Sequence, residues 1–290
     1  MPLGRLGVWT GIDSLTASQA AAFAQRVEGW GYGALWIPEG VGREVFSTAA
    51  WLLAHTRTLT LASGIANIYA RDAVSAAAAQ KGLNEMSAGR FLLGLGVSHI
   101  PLVRDVRRHE YGKPVATMRA YLTAMAGAPY RSVMPPAPLK TVLAALGPKM
   151  LELAAELADG AHPYNVPPEH TQQARLSLGP GKLLCVEQGA MLETDAAQAR
   201  ARARQFLSLY LGLPNYVNNW RRLGFPDAEL AGGGSDRLID AVIAWGDERA
   251  IRARIEAHWQ AGADHVCVQA IGREGAPDER LLALLAPRSS

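Results

Sequence analysis

Two side chains with acid or base chemistry stand shortly after apolar runs of the sequence. Glu39 follows the run 36–38, and His99 follows a glycine-rich run that ends at Gly96. A carboxylate can accept a proton, and a histidine can donate or accept one near neutral pH. A salt bridge or helix cap for Glu39 and a surface-loop position for His99 would explain the same residues. We treat both as candidate proton-transfer groups and leave these alternatives open.

A third segment suits a bound anion. It consists of Ala145, Leu146, Gly147 and Pro148, with Lys149 directly after it. Pro148 fits the first position of a helix because its missing N–H is not needed there. An uncrowded backbone, a new helix N-terminus and a nearby cation together attract phosphate. An ordinary turn between a strand and a helix remains the alternative.

Glycines and aromatic residues end several other runs. Gly64 and Gly96 could hold a strained backbone or allow a flat ring system to approach it, because glycine has no Cβ. A tight turn is the alternative for both glycines. Trp9 ends the first apolar run, and His162 and Tyr164 follow a later one. These three residues could form the wall of a pocket, or His162 and Tyr164 could simply pack as a hydrogen-bonded pair.

Other chemistries lack the residues they need. No lysine falls within an apolar run, which argues against a Schiff-base enzyme. Cys185 and Cys267 are far apart and lack a metal-ligand spacing, so neither a disulfide framework nor a zinc site is indicated. We expect two buried, reduced thiols and no metal.

Apolar runs alternate with helical patterns along the whole chain, which is typical of repeated β/α units around a parallel sheet. The predicted strands are 6–9, 34–37, 59–62, 91–95, 141–145, 160–162, 183–192 and 265–270. Eight units predict an α/β fold, the closed TIM (β/α)8 barrel, whose site lies at the carboxyl ends of its strands. A doubly wound open sheet would need a glycine fingerprint after the first strand, and Thr10-Gly11-Ile12 does not provide one.

Helical patterns fill the intervals between these strands. The predicted helices are 16–29, 46–55, 72–86, 114–125, 148–158, a stretch from the prolines 167–168 through 176, 196–211, 236–245, 248–261 and 278–285. The three helices between 196 and 261 predict a helical insertion between strands 7 and 8. No segment has the composition of a linker, so we expect one domain that spans 1–290. The long loop 96–113 lies where a barrel keeps its site, and loops of this length are usually functional.

Composition limits the partners. Apolar residues make up 49% of the chain and charged residues 19%, with a net charge of +3. This weak, dispersed charge argues against a nucleic-acid partner, whereas 24 arginines among 29 basic residues suit a small anionic ligand. The sequence contains neither a signal-peptide pattern nor an apolar stretch that could span a membrane. We expect a cytoplasmic protein with a small-molecule substrate.

The segments at the strand ends resemble those of the luciferase-like monooxygenase superfamily, in particular its branch of coenzyme F420-dependent oxidoreductases. The resemblance covers essentially the whole chain and rests on the stretches GYGALWIPE (31–39), SGIANIYARD (63–72), GRFLLGLGVSH (89–99), YGKP (111–114), LAALGPKMLELAAELADGAHPY (143–164) and AGADHVCVQ (261–269). It implies a barrel of the predicted kind with a deazaflavin or flavin ring across the strand ends.

The resemblance also implies which residues bind the cofactor. The ring would lie against Gly64, Ile65, Ala66, Asn67, Gly96, Val97, Ser98 and His99, and the phosphate against Ala145, Leu146, Gly147 and Pro148. Members often carry a non-prolyl cis peptide bond behind the ring, and the matching bond here is Gly64-Ile65. The expected substrate-binding residues are Trp9, His162 and Tyr164.

One departure from the family pattern concerns proton transfer. Members that use F420 often have an acidic residue followed by a histidine after the second strand, and this chain reads Glu39-Gly40. The proton-handling role would then fall to His99 or Glu39. The first hypothesis is hydride transfer between F420 and a small organic substrate that is not a sugar phosphate. The alternatives are an FMN-dependent monooxygenase served by a partner reductase, and a catalytically silent flavin-binding barrel. The resemblance also suggests a homodimer.

Overall fold

The computed structural model describes residues 3–272 and 276–287, and its strands follow the apolar runs of the sequence. The strands are Leu6–Trp9 (β1), Ala34–Ile37 (β2), Thr60–Ser63 (β3), Ala66–Asn67 (β4), Phe91–Gly96 (β5), Thr141–Leu143 (β6), Gly160–Ala161 (β7), Leu183–Leu192 (β8), Ala244–Gly246 (β9) and His265–Ala270 (β10). All eight predicted strands are present, and none of their ends is displaced by more than about two residues, the usual uncertainty of a strand boundary.

The strands close into a parallel barrel. The order around it is β1, β2, β3, β5, β6, β7, β8 and β10, and β10 returns to β1. Helices surround the strands, so the predicted TIM (β/α)8 fold is confirmed. Because every pairing between these strands is parallel, their carboxyl ends all meet at one end of the barrel, which we call the mouth.

One barrel strand is interrupted. β3 pairs with β5 at Leu61 and Ala62, and β4 resumes the pairing with Ala66 opposite Leu95. Residues 64 and 65 lie between these two short ladders, although the Gly64 N–H still donates to the Ile37 carbonyl at 2.8 Å. The backbone therefore bulges at the mouth, a detail that the apolar run did not predict.

The α-helices begin where the sequence supplies a cap. They are Ala17–Gly29 (α1), Val45–His55 (α2), Ala73–Met86 (α3), Pro114–Ala126 (α4), Pro148–Leu157 (α5), Pro168–Leu178 (α6), Ala196–Leu211 (α7), Pro214–Arg222 (α8), Asp227–Leu230 (α9), Asp236–Val242 (α10), Glu248–Gln260 (α11) and Glu279–Leu285 (α12). Side-chain oxygens of Thr16, Asp72 and Asp247 accept N–H groups of the first turns. Proline opens α4, α5, α6 and α8. None of the helices described is long and apolar enough to cross a bilayer.

The segment between β8 and β10 differs from its prediction in two ways. Its third predicted helix, α11, packs against β8 and β10 and is the barrel's own helix, so the insertion comprises residues 193–247. This insertion also contains α8, α9 and β9, which were not predicted. These elements are short, which makes them hard to predict. Helix α8 buries only one side, through Tyr216, Asn219 and Trp220, and therefore has few apolar residues to mark it in the sequence. Helix α10 ends three residues early because β9 begins at Ala244.

The loop that follows β5 is folded against the mouth. Leu102–Val106 forms a π-helical turn with Val103 buried, where the sequence predicted only a long loop. The Tyr111 hydroxyl donates to the Ser98 carbonyl at 3.3 Å, and the Gly112 N–H donates to the Tyr69 hydroxyl at 3.0 Å. The loop is thus ordered by contacts with residues next to the strand ends.

Aromatic and thiol side chains fill the barrel interior. Trp36 donates through Nε1 to His265 Nε2 at 3.0 Å, and its ring stacks on His162 with 4.3 Å between centroids. Cys185 and Cys267 are buried free thiols in the same layer. This layer supports the residues of the mouth above it.

Candidate active site

The predicted cofactor-binding segments become accessible where their strands end. The final residues of β3, β5 and β6 are buried, whereas residues 64–65, 97–99 and 146–147 are half-buried. The carboxyl ends of parallel strands share one end of a barrel, so these segments face the same mouth. Ala66 and Asn67 are exceptions, because both are buried in β4 and their side chains do not reach the surface.

The bulge at residues 64–65 forms the floor of the mouth. The Gly64–Ile65 peptide bond is cis, as the resemblance implied. A Cβ atom on Gly64 would lie 2.5 Å from Nε1 of Trp9 and 3.2 Å from Nε2 of His162. Glycine is therefore required, because any side chain would collide with these two rings. Three residues that are far apart in sequence meet here.

Both glycines of β5 adjoin the bulge of the neighbouring strand. A Cβ on Gly94 would lie 2.0 Å from the Ser63 carbonyl oxygen, and a Cβ on Gly96 would lie 2.5 Å from Cδ1 of Ile65. The Ser63 hydroxyl also donates to the Gly94 carbonyl at 2.8 Å. These glycines admit the bulge of the neighbouring strand, and the space beside Gly96 is filled by Ile65. A ring system could reach Gly96 only from its other face.

Two ring nitrogens at the floor lack partners. Trp9 Nε1 and His162 Nε2 are buried and make no hydrogen bond with described residues. His162 Nδ1 lies 2.8 Å from the Cys185 carbonyl, which fixes the proton on Nδ1 and leaves Nε2 as an acceptor. Burial lowers the pKa of His162 to about 4, so the ring is neutral at pH 7. The floor thus contains one donor and one acceptor that the described residues leave unpaired.

Aromatic residues of the insertion cover one side of the mouth. The Tyr164 hydroxyl donates to Gln269 Oε1 at 2.7 Å and lies 2.9 Å from the Tyr210 hydroxyl. The Tyr164 ring lies 5.0 Å from that of Trp9 and 6.3 Å from that of Tyr216. The predicted wall of Trp9, His162 and Tyr164 is therefore extended by the insertion. Sequence reasoning missed Tyr210 and Tyr216. The available signal was Pro214, which lies between them and is the first residue of a helix.

Glu39 is engaged in a buried ion pair. Its carboxylate accepts two hydrogen bonds from Arg71 and one from the Asn67 backbone N–H at 2.8 Å. Arg71 also pairs with Glu44 at 2.9 Å. These partners occupy the carboxylate, so Glu39 is suited to holding the 64–72 segment in place and is poorly suited to moving a proton. A salt bridge, one of the alternatives given for Glu39, matches this geometry.

His99 stands at the mouth, half-buried, with its ring 5.8 Å from that of Tyr216. Burial lowers the pKa of His99, and the Asn215 side chain opposes the shift in part. The imidazole is therefore predominantly neutral at pH 7 and able to accept a proton. Ser98, its neighbour, adopts a positive φ of 56°, and this left-handed residue turns the chain at His99.

The turn after β6 has the geometry of an anion site. Gly147 is the N-cap of α5, and no side chain caps this helix. Uncapped N–H groups and the positive end of the helix dipole attract an anion. The guanidinium of Arg222, from α8, lies over the turn, 3.3 Å from where a Cβ of Gly147 would be. Arg222 had not been predicted as a site residue.

A buried carboxyl group lies below the insertion. Glu187 is fully buried; its Oε2 accepts the Asn165 N–H at 2.9 Å, and its Oε1 has no partner among the described residues. Burial raises the pKa of Glu187 to about 8, and the hydrogen bond from Asn165 opposes the shift. The carboxyl group is consequently protonated at neutral pH. The sequence placed Glu187 in a strand without indicating which way its side chain faces.

This protonation makes stability depend on pH. Between 4.5 and about 8 the folded chain keeps a proton that the unfolded chain releases, so the contribution of Glu187 to the free energy of unfolding falls as pH rises through this window. Glu187→Gln should keep the hydrogen bond and remove this slope, which makes the variant more stable than the wild type by a few kcal/mol at pH 9. Urea unfolding at pH 6 and pH 9 measures the difference.

Two comparisons complete this test. Glu110→Gln, at an exposed loop position, should leave the slope unchanged. The buried histidines cancel in the comparison because every variant contains them. A Glu187→Gln variant with the wild-type pH dependence would contradict the protonation of this carboxyl group.

The chain resembles known proteins over most of its length. The family model described as luciferase-like monooxygenase matches residues 3–265. The "Putative coenzyme F420-dependent oxidoreductase Rv3520c" of Mycobacterium tuberculosis is 25% identical over 335 aligned positions, which cover 94% of this chain and 95% of that protein. A 5,10-methylenetetrahydromethanopterin reductase of Methanolobus tindarius is 27% identical over 290 positions, which cover 89% of this chain and 83% of the reductase.

Solved structures share the barrel. The coenzyme F420-dependent tetrahydromethanopterin reductase of Methanopyrus kandleri superposes with a TM-score of 0.77 at 18% identity, over 97% of both chains. The oxygenating component of a Baeyer–Villiger monooxygenase of Pseudomonas putida, in complex with FMN, superposes with a TM-score of 0.66 at 14% identity, also over 97% of both chains. At these identities the likeness establishes the fold.

Proposed function

The chain belongs to the luciferase-like monooxygenase family, and from that premise we propose that it transfers a hydride between the deazaflavin coenzyme F420 and a small organic substrate. Membership in this family makes the chain an oxidoreductase. F420 is proposed as the cofactor because the relative from M. tuberculosis and the structure from M. kandleri both carry F420 in their names.

The observation that carries the proposal is the floor of the mouth. Gly64 carries no side chain there, and the unpartnered Trp9 Nε1 and His162 Nε2 lie against it. A planar ring with a polar edge would satisfy both nitrogens, which otherwise remain buried at a cost. The uncapped start of α5 at Gly147 would hold a phosphate group of the same ligand. These features fit a deazaflavin or flavin nucleotide.

When it is bound, the deazaflavin supplies or accepts the hydride, and the protein supplies position, exclusion of water and proton transfer. Gly64 and Ile65 back the ring. Tyr164 and the insertion's Tyr216 exclude water from one side of the mouth. His99, neutral at pH 7, is the proposed proton acceptor or donor for the substrate. The Glu39–Arg71 pair positions the bulge by holding the Asn67 backbone.

A binding titration followed by a turnover assay tests this proposal. The chain has seven tryptophans, one of them at the floor, so F420 should quench their fluorescence with a micromolar Kd, whereas FMN should bind much more weakly. With reduced F420, at least one compound in a panel of enones, imines and quinones should be reduced. His99→Ala should slow this reaction by about 10²- to 10⁴-fold while the Kd for F420 changes little.

His55→Ala, at the end of α2 with its ring 3.9 Å from that of Trp51, serves as the matched control and should leave turnover intact. Tight binding of FMN without F420, together with oxygen-dependent oxygenation, would instead establish the FMN monooxygenase, which the FMN-bound structural neighbour keeps as the second candidate. Binding of F420 without turnover of any compound would favour a silent barrel.

A further inference from the structure

The interior residue of β10 that lies nearest the mouth is Gln269. Side chains of a strand alternate between its two faces. His265, which accepts a hydrogen bond from Trp36, and Cys267, which packs in the interior layer, both point into the barrel, so Gln269 points inwards as well. His265 and Cys267 are buried, whereas Gln269 is partly exposed. An amide side chain therefore reaches the surface at the carboxyl end of the barrel.

Two tyrosines hold this amide in one orientation. The Tyr164 hydroxyl donates to Gln269 Oε1 at 2.7 Å and lies 2.9 Å from the Tyr210 hydroxyl. A hydroxyl has one hydrogen, so Tyr210 is the donor in the second contact. The chain of donors thus runs from the insertion to the amide oxygen and turns the amide nitrogen away from the tyrosines. Within residues 3–272 and 276–287, no acceptor bonds to Gln269 Nε2.

The relay fixes the direction of a hydrogen-bond donor. A glutamine side chain loses much rotamer freedom when it is ordered, and direct bonds between side chains are a minority of the hydrogen bonds in proteins. Here three segments each contribute one side chain: Tyr164 after β7, Tyr210 on α7 and Gln269 on β10. A donor held by its neighbours in one direction is what recognition of a ligand acceptor requires.

The side chains around this donor are aromatic and uncharged. The Tyr164 ring lies 5.0 Å from that of Trp9, and the Tyr210 ring lies 4.9 Å from that of Tyr216. Burial raises the pKa of Tyr210 to about 12, so its hydroxyl stays protonated at neutral pH. These rings can pack against an apolar or aromatic ligand whose polar atom meets the amide.

No free cation accompanies the donor. Arg202, on α7, donates to the carbonyl of Ile271, two residues beyond Gln269, at 3.0 Å, and it is paired with Glu193. In the described part of the chain, no lysine or arginine side chain bonds to Gln269 or to the tyrosines of the relay. An anion bound here would lose its water without gaining a partner of opposite charge. The surface therefore favours an uncharged ligand.

We propose that Gln269 Nε2 binds the carbonyl oxygen of the substrate, that Tyr164 and Tyr210 position the amide, and that the substrates are uncharged carbonyl compounds. This inference rests on the proposed function. A hydride from the reduced deazaflavin forms a C–H bond at the carbonyl carbon, and the π electron pair moves to the oxygen, which takes a proton that His99 relays from solvent. The amide N–H stabilises the negative charge that develops on this oxygen. The products are an alcohol and the oxidised deazaflavin.

Two probes of the same shape test the donor. Acetophenone and α-methylstyrene differ only in a carbonyl oxygen and a methylene group at the same position, and calorimetric titration of the F420-loaded chain gives the Kd of each. Gln269→Met keeps the length of the side chain and removes the donor. It should weaken acetophenone binding by about three- to tenfold, the range for one neutral hydrogen bond, and leave α-methylstyrene binding within about twofold. Gln260→Met, at an exposed position of α11, should change neither Kd.

Two further titrations examine the relay and the charge. Tyr210→Phe keeps the amide but removes its outer support, so it should weaken acetophenone binding by less than Gln269→Met does and leave α-methylstyrene binding unchanged. 4-Acetylbenzoate, which adds a carboxylate to acetophenone, should bind the wild type about tenfold more weakly than acetophenone.

The outcomes separate this inference from the proposed function. If Gln269→Met weakens both probes equally, or neither, the role of Gln269 is overturned while the F420 proposal stands. Binding of 4-acetylbenzoate as tight as that of acetophenone overturns the uncharged substrate class, and a wild type that binds neither acetophenone nor α-methylstyrene overturns the whole inference. A chain that binds FMN and not F420 refutes the proposed cofactor, and the same titrations on the FMN-loaded chain then decide the role of Gln269.

Discussion

Gly94→Ala is expected to destabilise the folded chain by at least about 3 kcal/mol, which corresponds to roughly 6–12 °C in Tm. The new Cβ would lie 2.0 Å from the Ser63 carbonyl oxygen and 3.2 Å from its carbon. Both are backbone atoms, so no side-chain rotation can relieve the overlap. β3 and β5 would have to separate, and the reciprocal hydrogen bonds between Ser63 and Gly94 would be lost.

Thermal unfolding followed by circular dichroism measures this effect. Gly82→Ala is the matched control, because Gly82 lies within α3 and a Cβ there would have no neighbour within 4 Å. Alanine has the higher helix propensity, so this variant should gain about 0.5–1 kcal/mol. A Gly94→Ala chain that melts with the wild type would show that the two strands do not approach as closely as described.

Arg71→Met is expected to lower the free energy of unfolding by about 3–5 kcal/mol, the usual cost of leaving one charge of a buried pair without its partner. The side chain of Glu39 is 3% exposed and that of Arg71 is 12% exposed. Methionine keeps an apolar stem but cannot donate to Glu39, and the stacking of Arg71 on Phe46, at 4.5 Å, is also lost. Urea unfolding at pH 7 measures the change.

Arg119→Met provides the comparison. Arg119 pairs with Glu156 at 2.5 Å, but both side chains are about half exposed, at 45% and 54%, and water replaces the lost partner. The variant should unfold close to the wild-type urea concentration. Equal losses in the two variants would mean that burial does not set the strength of the Glu39–Arg71 pair, and the positioning role of Glu39 would then lack its physical basis.

Sequence reasoning was most successful where the signal is local. The strand 183–192 and the helix 196–211 have the same bounds in the structure as in the prediction, because apolar residues at both ends of the strand and an Asp195 cap before the helix define them within a few residues. The position of the candidate site followed from the barrel itself, since strand ends and the loops after them must share the mouth. The cis bond at Gly64–Ile65 was implied by the family resemblance alone.

The remaining features depend on contacts between distant segments. Glu39 and Arg71 are 32 residues apart, and neither run of sequence shows that the other closes on it. Arg222 reaches the 145–148 turn only because α8 folds over the mouth, and α8 itself is short and has few apolar residues. Position 94 must likewise be glycine, because the Ser63 carbonyl on another strand leaves no room for a side chain. Each of these requires the packed arrangement, which composition and periodicity do not specify.

The two parts of β8 pair with different strands, and this affects how the chain could be recombined with its relatives. Residues 185–190 of β8 pair with β10 inside the barrel, whereas residues 190–192 pair with β9 of the insertion. A graft that replaces the insertion without β9 would leave the end of a long, buried strand unpaired, and open strand edges promote association between chains. A soluble chimera would therefore need crossover points within β8, before residue 190, and after Gly246.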